Sequence, residues 1–130
     1  MNVLLCGGGT VGHVNPALAI GEAILRQSKE NKIAFVGRVG GAESEIIRKR
    51  GHKIYEIEIH GFKRKLCLDN VKNAFVALSS LSDARKIIKE FKPDGVVGTG
   101  GYVCWPVLKA AQRLKIPTFI HESNAVGMVP

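Results

Sequence analysis

Residues 2–12 read NVLLCGGGTVG, an uncharged apolar run that passes directly into a glycine-rich turn. The apolar part, Asn2–Cys6, has the continuous hydrophobic character of a buried parallel strand. The letters that follow fit the pattern G-x-G-x-x-G, and helical spacing begins soon afterwards. A strand, a glycine turn and a helix in that order indicate an anion-binding unit, because a helix N-terminus offers free N–H groups. Tight packing of a strand against a helix is the alternative explanation for the same turn.

The rest of the chain repeats this alternation of strand and helix. Further strands are predicted at residues 33–36, stopped by Gly37, and at 53–59, 95–99 and 118–121. Helices are predicted at residues 15–29, 42–50, 70–91 and 103–114. Pro16 would lie in the first turn of the first helix, and Gly51 would close the second. The polar segment 79–83 would divide the third helix into two. The fold class is therefore α/β, a Rossmann-like parallel sheet with helices on both faces. In such a sheet the first strand lies beside the fourth, and ligands bind at that switch point.

Composition limits the function classes. The chain has 130 residues, enough for one domain, and a formal net charge of +8, which favours an anionic partner. Cys6, Cys67 and Cys104 lack the spacing of a disulfide framework or a zinc site, so buried reduced thiols and no metal are expected. No apolar window is long enough to span a bilayer, and the N-terminus lacks a signal-peptide pattern, which favours the cytoplasm. Nucleic acid is disfavoured, because the basic residues lack interleaved aromatic side chains.

Three strand ends carry the candidate binding residues. The first is the glycine turn with His13 just after it, the second is Gly100-Gly101-Tyr102, and the third is residues 121–124, HESN. All three are expected to face one crevice at the carboxyl edge of the sheet. A histidine at a helix N-terminus tends to stay neutral and can accept a proton. Helix capping by His13, packing of Tyr102 and a buried polar network at 121–124 are the alternatives.

Two other segments suggest partners. Arg38 stands at the predicted end of the second strand, where dinucleotide-binding folds usually have an acidic residue, so it would suit the 2′-phosphate of NADP. The second segment combines basic and apolar residues, as at a contact with anionic lipids, although a solvated basic face would look the same. Its residues are Phe62, Lys63, Arg64, Lys65, Lys72 and Phe75.

In combination, three motifs resemble the MurG family of peptidoglycan glycosyltransferases. They are GGTVGHVNPALA at residues 8–19, GGYV at 100–103 and HESNAV at 121–126, and Pro93-Asp94 also fits the family. The resemblance covers essentially the whole chain. It departs from the family at Val11, usually glycine, at Cys104, usually serine, and at Ser123, usually glutamine. The Val11 substitution is expected to make the first turn less open to phosphate.

The resemblance implies a fold, a reaction and a site. The family has the GT-B fold, and residues 1–130 would be its N-terminal, acceptor-binding Rossmann-like domain. It transfers N-acetylglucosamine from UDP-N-acetylglucosamine to lipid I (undecaprenyl-pyrophosphoryl-MurNAc-pentapeptide) with inversion and without a metal or other cofactor in the site. His13 would be the catalytic base. The residues expected to bind substrate are Gly9, Thr10, Gly12, Gly100, Gly101, Tyr102, Glu122 and Asn124. The basic and apolar segment would contact the inner face of the cell membrane.

The resemblance also implies a missing part. The family's donor domain, which holds most of the UDP-sugar, would follow residue 130, so the chain alone is expected to be inactive. A separate donor-domain chain or self-association through an exposed face would be the corresponding partners. An NADP-binding or other nucleotide-binding module is one alternative function, and a non-catalytic protein that binds a lipid or a partner is the other.

Overall fold

The computed structural model describes residues 1–7, 11–58, 70–100 and 103–121, apart from the side chains of residues 11–13 and 70–78. Its strands are β1 (Asn2–Cys6), β2 (Lys32–Arg38), β3 (Ile54–Ile57), β4 (Gly95–Gly98) and β5 (Thr118–Ile120). They form one parallel sheet in the order β3-β2-β1-β4-β5. The predicted pairing of the first strand with the fourth is confirmed, and the strand order reverses between them.

In the described ranges, four helices cover both faces of this sheet. They are α1 (Val11–Gln27), α2 (Ala42–Lys49), α3 (Asn70–Phe91) and α4 (Cys104–Arg113). One core, centred on Leu5 and Phe35, includes residues of α1 and α2. The other, centred on Leu4 and Val96, includes residues of α3 and α4. Successive residues of β1 thus point to opposite cores, as the pleat of a strand requires. The predicted α/β fold with helices on both faces is confirmed.

The structure corrects the predicted start of α1. The helix begins at Val11 and not at residue 15, so Pro16 is its sixth residue and lies outside the first turn. This position is tolerable because the missing N–H would have donated only to the carbonyl of Gly12, close to the helix end. The earlier start includes Gly12 and His13 in the first helical turn.

The predicted role of Gly37 as a strand stop is wrong. β2 continues through Gly37 to Arg38, and Gly37 is buried. A Cβ atom at this position would lie 2.8 Å from Ser44 Oγ of α2. Glycine is therefore needed there because α2 approaches the strand closely. The positions of glycine and proline along the sequence do not reveal this close approach.

Other predicted boundaries are closer to the structure. Helix α3 has the predicted bounds, and its polar segment does not divide it, since Ser80 faces inward and is fully buried. Gly51 closes α2 as predicted, with φ +80° and a hydrogen bond from its N–H to the carbonyl of Arg48. β3 is shorter than predicted, and Ile59 at its predicted end lies outside the described residues. Within the described ranges, no helix combines the length and hydrophobicity that crossing a bilayer requires.

Candidate functional site at the carboxyl edge of the sheet

The carboxyl ends of the three central strands meet at one edge. Cys6 is paired with Gly98 across β1 and β4, and Gly98 is paired with Ile120 across β4 and β5. The ladder continues past the strands, because the N–H of Thr99 donates to the carbonyl of Cys6 at 2.9 Å. The N–H of His121 likewise donates to the carbonyl of Gly98 at 2.8 Å. The three predicted tips therefore start side by side.

The first tip connects β1 to α1 within four residues. Gly7 is buried, and α1 begins at Val11. Gly9 and Thr10 lie outside the described residues, and Gly12 and His13 are described only as backbone in the first turn of α1. The N–H groups of that turn have no acceptor within the helix, and a helix N-terminus of this kind favours an anion at this edge. The roles predicted for these four residues stay predictions.

The second tip turns sharply after β4. Thr99 is buried, and its Oγ1 lies 3.4 Å from the carbonyl oxygen of Cys6. Gly100 follows with φ +114°, a conformation that side chains other than glycine rarely adopt. Gly101 and Tyr102 lie outside the described residues. Helix α4 then starts at Cys104, and Val103, its N-cap residue, makes no side-chain capping bond. A second helix N-terminus without such a cap is therefore at the same edge.

The third tip is described only at its first residue. His121 is exposed and follows β5 directly. Glu122 and Asn124 lie outside the described residues, so their predicted substrate contacts stay predictions. In the described part of the chain, no three His, Cys, Asp or Glu side chains are grouped as metal ligands would be.

Sequence reasoning missed the contact of the Cys104 thiol with the backbone of Cys6 beneath the second tip. Cys6 ends β1 and Cys104 begins α4, and both are free and buried. Cys104 Sγ lies 3.1 Å from the carbonyl oxygen of Cys6 and 3.1 Å from that of Gly100. A hydrogen bond with Cys104, together with burial, raises the pKa of the Cys6 thiol. The same bond lowers the pKa of Cys104, assisted by backbone hydrogen bonds from Gly100 and Thr99.

The end of β2 is occupied by a buried carboxylate that the sequence analysis did not single out. Glu43 of α2 is 2% exposed, and its Oε2 accepts the backbone N–H of Arg38 at 3.0 Å. The same oxygen lies 4.0 Å from Nε of Arg38. Arg38 is therefore already paired with a negative charge. This pairing disfavours the expectation that Arg38 binds the 2′-phosphate of a dinucleotide.

A cleft between α3 and α4 lies on one face of the sheet. It has a volume of about 260 Å³ and is lined by Leu81, Ser82, Arg85, Ala110, Arg113 and Leu114. Both arginines are exposed. Lys72 and Phe75, predicted to contact a membrane, lie near the start of α3, and their side chains are not described. Phe62, Lys63, Arg64 and Lys65 lie outside the described residues.

Comparison with known proteins identifies the family. Residues 3–129 match the model of the glycosyltransferase family 28 N-terminal domain. The chain is 49% identical over 125 residues to the UDP-N-acetylglucosamine--N-acetylmuramyl-(pentapeptide) pyrophosphoryl-undecaprenol N-acetylglucosamine transferase of Caldanaerobacter subterraneus subsp. tengcongensis. It is 51% identical over 124 residues to the protein of the same name from Alkaliphilus oremlandii. The matches cover 96% and 95% of this chain but only 34% of each relative.

Solved structures agree with this comparison. The crystal structure of Acinetobacter baumannii MurG superposes with a TM-score of 0.81 at 33% identity, over 98% of this chain and 36% of that one. UDP-GlcNAc 2-epimerase from Neisseria meningitidis has a TM-score of 0.65 at 18% identity, over 92% of this chain and 31% of that one, which shows the fold alone. The chain spans about a third of the length of the curated relatives it matches. It belongs to glycosyltransferase family 28, whose N-terminal domain it matches almost from end to end.

Proposed function

We propose that this chain is the acceptor-binding part of a MurG-type inverting glycosyltransferase. The reaction moves N-acetylglucosamine from UDP-N-acetylglucosamine to lipid I in peptidoglycan synthesis. One observation carries the proposal: relatives that bear the name of this transferase are about half identical to the chain over nearly all of it. The crevice chemistry supports it, because two helix N-termini at one edge suit a ligand that carries a pyrophosphate.

The acceptor's pyrophosphate would bind at these helix N-termini. The free N–H groups at the starts of α1 and α4 donate to phosphate oxygens, and both helix dipoles favour negative charge there. Thr10 and Tyr102 would add hydroxyl contacts, and Glu122 and Asn124 would hydrogen-bond the acceptor's sugar or peptide. Gly9, Gly12, Gly100 and Gly101 would let the backbone approach the phosphates closely.

His13 would act as the general base. The acceptor's 4-hydroxyl attacks the anomeric carbon of N-acetylglucosamine from the side opposite UDP, and the bond from that carbon to the UDP oxygen breaks. The hydroxyl proton passes to the imidazole, and UDP leaves with the bonding electron pair. A single displacement of this kind inverts the anomeric centre. The N-terminal position of His13 in α1 supports the role, because the helix dipole disfavours the imidazolium.

Catalysis would need a second domain for the donor. General base catalysis is worth about 10²–10⁴-fold, but only when donor and acceptor are held together. The relatives are about three times as long as the matched region, which leaves room for that domain. We therefore expect the 130 residues alone to bind acceptor without transferring sugar.

The membrane contact would lie on the α3–α4 face, on the cytoplasmic side of the inner membrane. Phe75, Leu78, Ser82 and Arg85 follow one another at helical spacing on α3, so the predicted contact residue Phe75 is in line with the cleft. Exposed arginines beside leucines suit anionic headgroups above an apolar boundary.

Arg85→Ala or Arg113→Ala should each lower binding to phosphatidylglycerol vesicles about fivefold at low salt. Arg26→Ala, which removes an exposed charge from α1 on the other face, is the control, and an equal loss there would contradict the assignment.

A transfer assay tests the proposed function. The full-length protein is incubated with a soluble lipid I analogue and radiolabelled UDP-N-acetylglucosamine. We expect label to enter the acceptor product, and we expect no transfer when the acceptor is replaced by N-acetylmuramic acid. Absence of transfer by a folded full-length protein, together with saturable NADPH binding that Arg38→Ala abolishes, would instead support the nucleotide-binding alternative. Acceptor binding without transfer, even with a donor domain present, would support a non-catalytic lipid-binding protein.

A further inference from the structure

One large aromatic side chain at the carboxyl edge has no role in the reaction as proposed above. Trp105 is the second residue of α4, the helix that follows the Gly100 turn, and it is the only tryptophan among the 130 residues. It is 48% exposed, whereas its neighbours Cys104 and Pro106 are buried. Single exposed apolar residues are common on protein surfaces, so the place of Trp105 in the fold decides what its ring can contact.

The start of α4 is held firmly against the sheet. A Cβ atom at Gly98 of β4 would lie 2.9 Å from Leu108 Cδ1, so the helix and the strand approach each other closely. Cys104 Sγ lies 3.1 Å from the carbonyl oxygen of Cys6 at the end of β1. The exposed ring of Trp105 therefore belongs to a fixed helix start, and little conformational entropy is lost when a ligand covers it.

The position of Trp105 connects the crevice with the proposed membrane face. Side chains of a helix lean toward its N-terminus, which directs the indole toward the carboxyl edge, beside the Gly100 turn. Lys109 and Arg113 follow at helical spacing and are both exposed, and Arg113 lines the cleft between α3 and α4. A surface path thus runs along α4 from the crevice, past Trp105, to that cleft.

The acceptor of the proposed function needs an apolar contact along such a path. Its pyrophosphate is esterified directly to an isoprenoid chain, so this chain leaves the crevice next to the phosphates. We propose that Trp105 binds the isoprene units nearest the pyrophosphate as the chain passes from the crevice toward the membrane. The contact removes apolar surface of both partners from water, and it favours acceptors whose pyrophosphate carries an isoprenoid chain. This assignment rests on the proposed function, which supplies the acceptor.

Two soluble acceptor analogues test the contact in the full-length protein. Both carry the muramyl-pentapeptide pyrophosphate, and they differ only in whether a short isoprenoid chain or a methyl group esterifies the outer phosphate. We expect the isoprenoid analogue to bind the wild type about tenfold more tightly than the methyl analogue. Trp105→Ala should remove most of this preference without weakening the methyl analogue, and Trp105→Phe, which keeps an aromatic ring, should retain most of it. Isothermal titration calorimetry measures the dissociation constants.

Phe119→Ala is the matched control for an exposed aromatic residue. Phe119 is 60% exposed and pairs with Val97, which packs against the core on the α1 and α2 face. Its side chain therefore lies on the other side of the sheet from α4. We expect this variant to keep the full preference for the isoprenoid analogue. An equal loss of preference in Phe119→Ala and Trp105→Ala would overturn the proposal.

Fluorescence distinguishes the acceptor chain from the bilayer. The difference in emission between the wild type and Trp105→Phe reports Trp105 alone, and it should shift to shorter wavelength with the isoprenoid analogue but not with the methyl analogue. The same shift on phosphatidylglycerol vesicles that contain no acceptor would assign Trp105 to the membrane and overturn the proposal. Binding of both analogues with no effect of Trp105→Ala would overturn it and leave the proposed function intact. Binding of neither analogue to the folded wild type would contradict both.

Discussion

The two edges of the sheet are built differently. At the amino edge, side chains close the strand ends: the N–H of Asn2 donates to the Asp94 carboxylate at 2.7 Å, and the Asn31 amide donates to the carbonyl of Ile24 at 2.8 Å. At the carboxyl edge, the described residues of the three tips include Gly7, Gly100 and the starts of α1 and α4, and the N-cap residue of α4 makes no side-chain capping bond. Side chains from distant parts of the chain bond the backbone at the amino edge, whereas two helix N-termini lie at the carboxyl edge, where an anion is favoured. This contrast indicates that the amino edge provides stability and the carboxyl edge function.

The largest expected effect is the difference in catalytic rate between replacing His13 at the carboxyl edge and replacing His52 at the amino edge. In the full-length protein, His13→Ala should lower kcat/KM about 10²–10⁴-fold, because it removes the proposed base while leaving the helix intact. His52→Ala at the amino edge is the matched control. It breaks the 3.1 Å contact with Glu22 and should cost about 0.5–1.5 kcal/mol of stability with little change in rate. Steady-state kinetics and denaturant melts measure both, and a fall in rate for His52→Ala that matched the fall for His13→Ala would break the comparison.

A smaller effect is expected when the amino edge is opened. Asp94→Ala removes the acceptor for the N–H of Asn2 and should lower the free energy of unfolding by about 1–2 kcal/mol. Acceptor affinity should not change, since Asp94 lies before β4, at the end opposite the crevice. Urea denaturation and acceptor titration measure the two quantities on one sample. Weaker acceptor binding at temperatures where the variant is folded would show that the edges are not separable.

The smallest effect is a pH dependence at the amino edge. The hydrogen bond from His52, together with the charge of Arg50, lowers the pKa of Glu22 below its usual 4.5. A carboxyl whose pKa is lower in the folded state stabilises the fold above its unfolded pKa and loses that contribution as pH falls through the folded pKa. Glu22→Gln should therefore destabilise by less than about 1 kcal/mol at neutral pH, because the group is solvent-screened, and the gap should close as the pH falls below the ordinary pKa of 4.5 and through the lower folded-state pKa. A gap that widened in acid would contradict this sign.

Much of the fold was predictable from the sequence. Apolar runs between helical patterns predict the five strands and their parallel order, and Gly51 predicts the end of α2. Errors arose where tertiary packing decides. Gly37 was predicted to stop β2, but the close approach of Ser44 requires it inside the strand. Pro16 was predicted in the first turn, yet α1 accommodates it further in at the loss of one terminal hydrogen bond.

The site was predictable in outline and not in its contacts. Parallel topology alone brings the ends of β1, β4 and β5 to one edge, and the structure confirms that adjacency. The pairing of Arg38 with Glu43 depends on how α2 packs on β2, which residue spacing does not specify. The Cys6–Cys104 contact was available in principle, because one residue ends β1 and the other begins the helix after the neighbouring strand β4. Predicting a contact between residues so far apart in the sequence requires both the order of the strands and the residue at which the helix begins.

Hydrogen exchange with and without a soluble lipid I analogue tests the separation of the edges most directly. The full-length protein is labelled in both states, and protection is compared peptide by peptide. We expect slower exchange in residues 7–13 and 99–105 at the carboxyl edge, with little change around Asn2, Asn31 and Asp94 at the amino edge. Protection confined to the amino edge, or an equal change at both edges, would contradict the assignment of acceptor binding to the carboxyl edge.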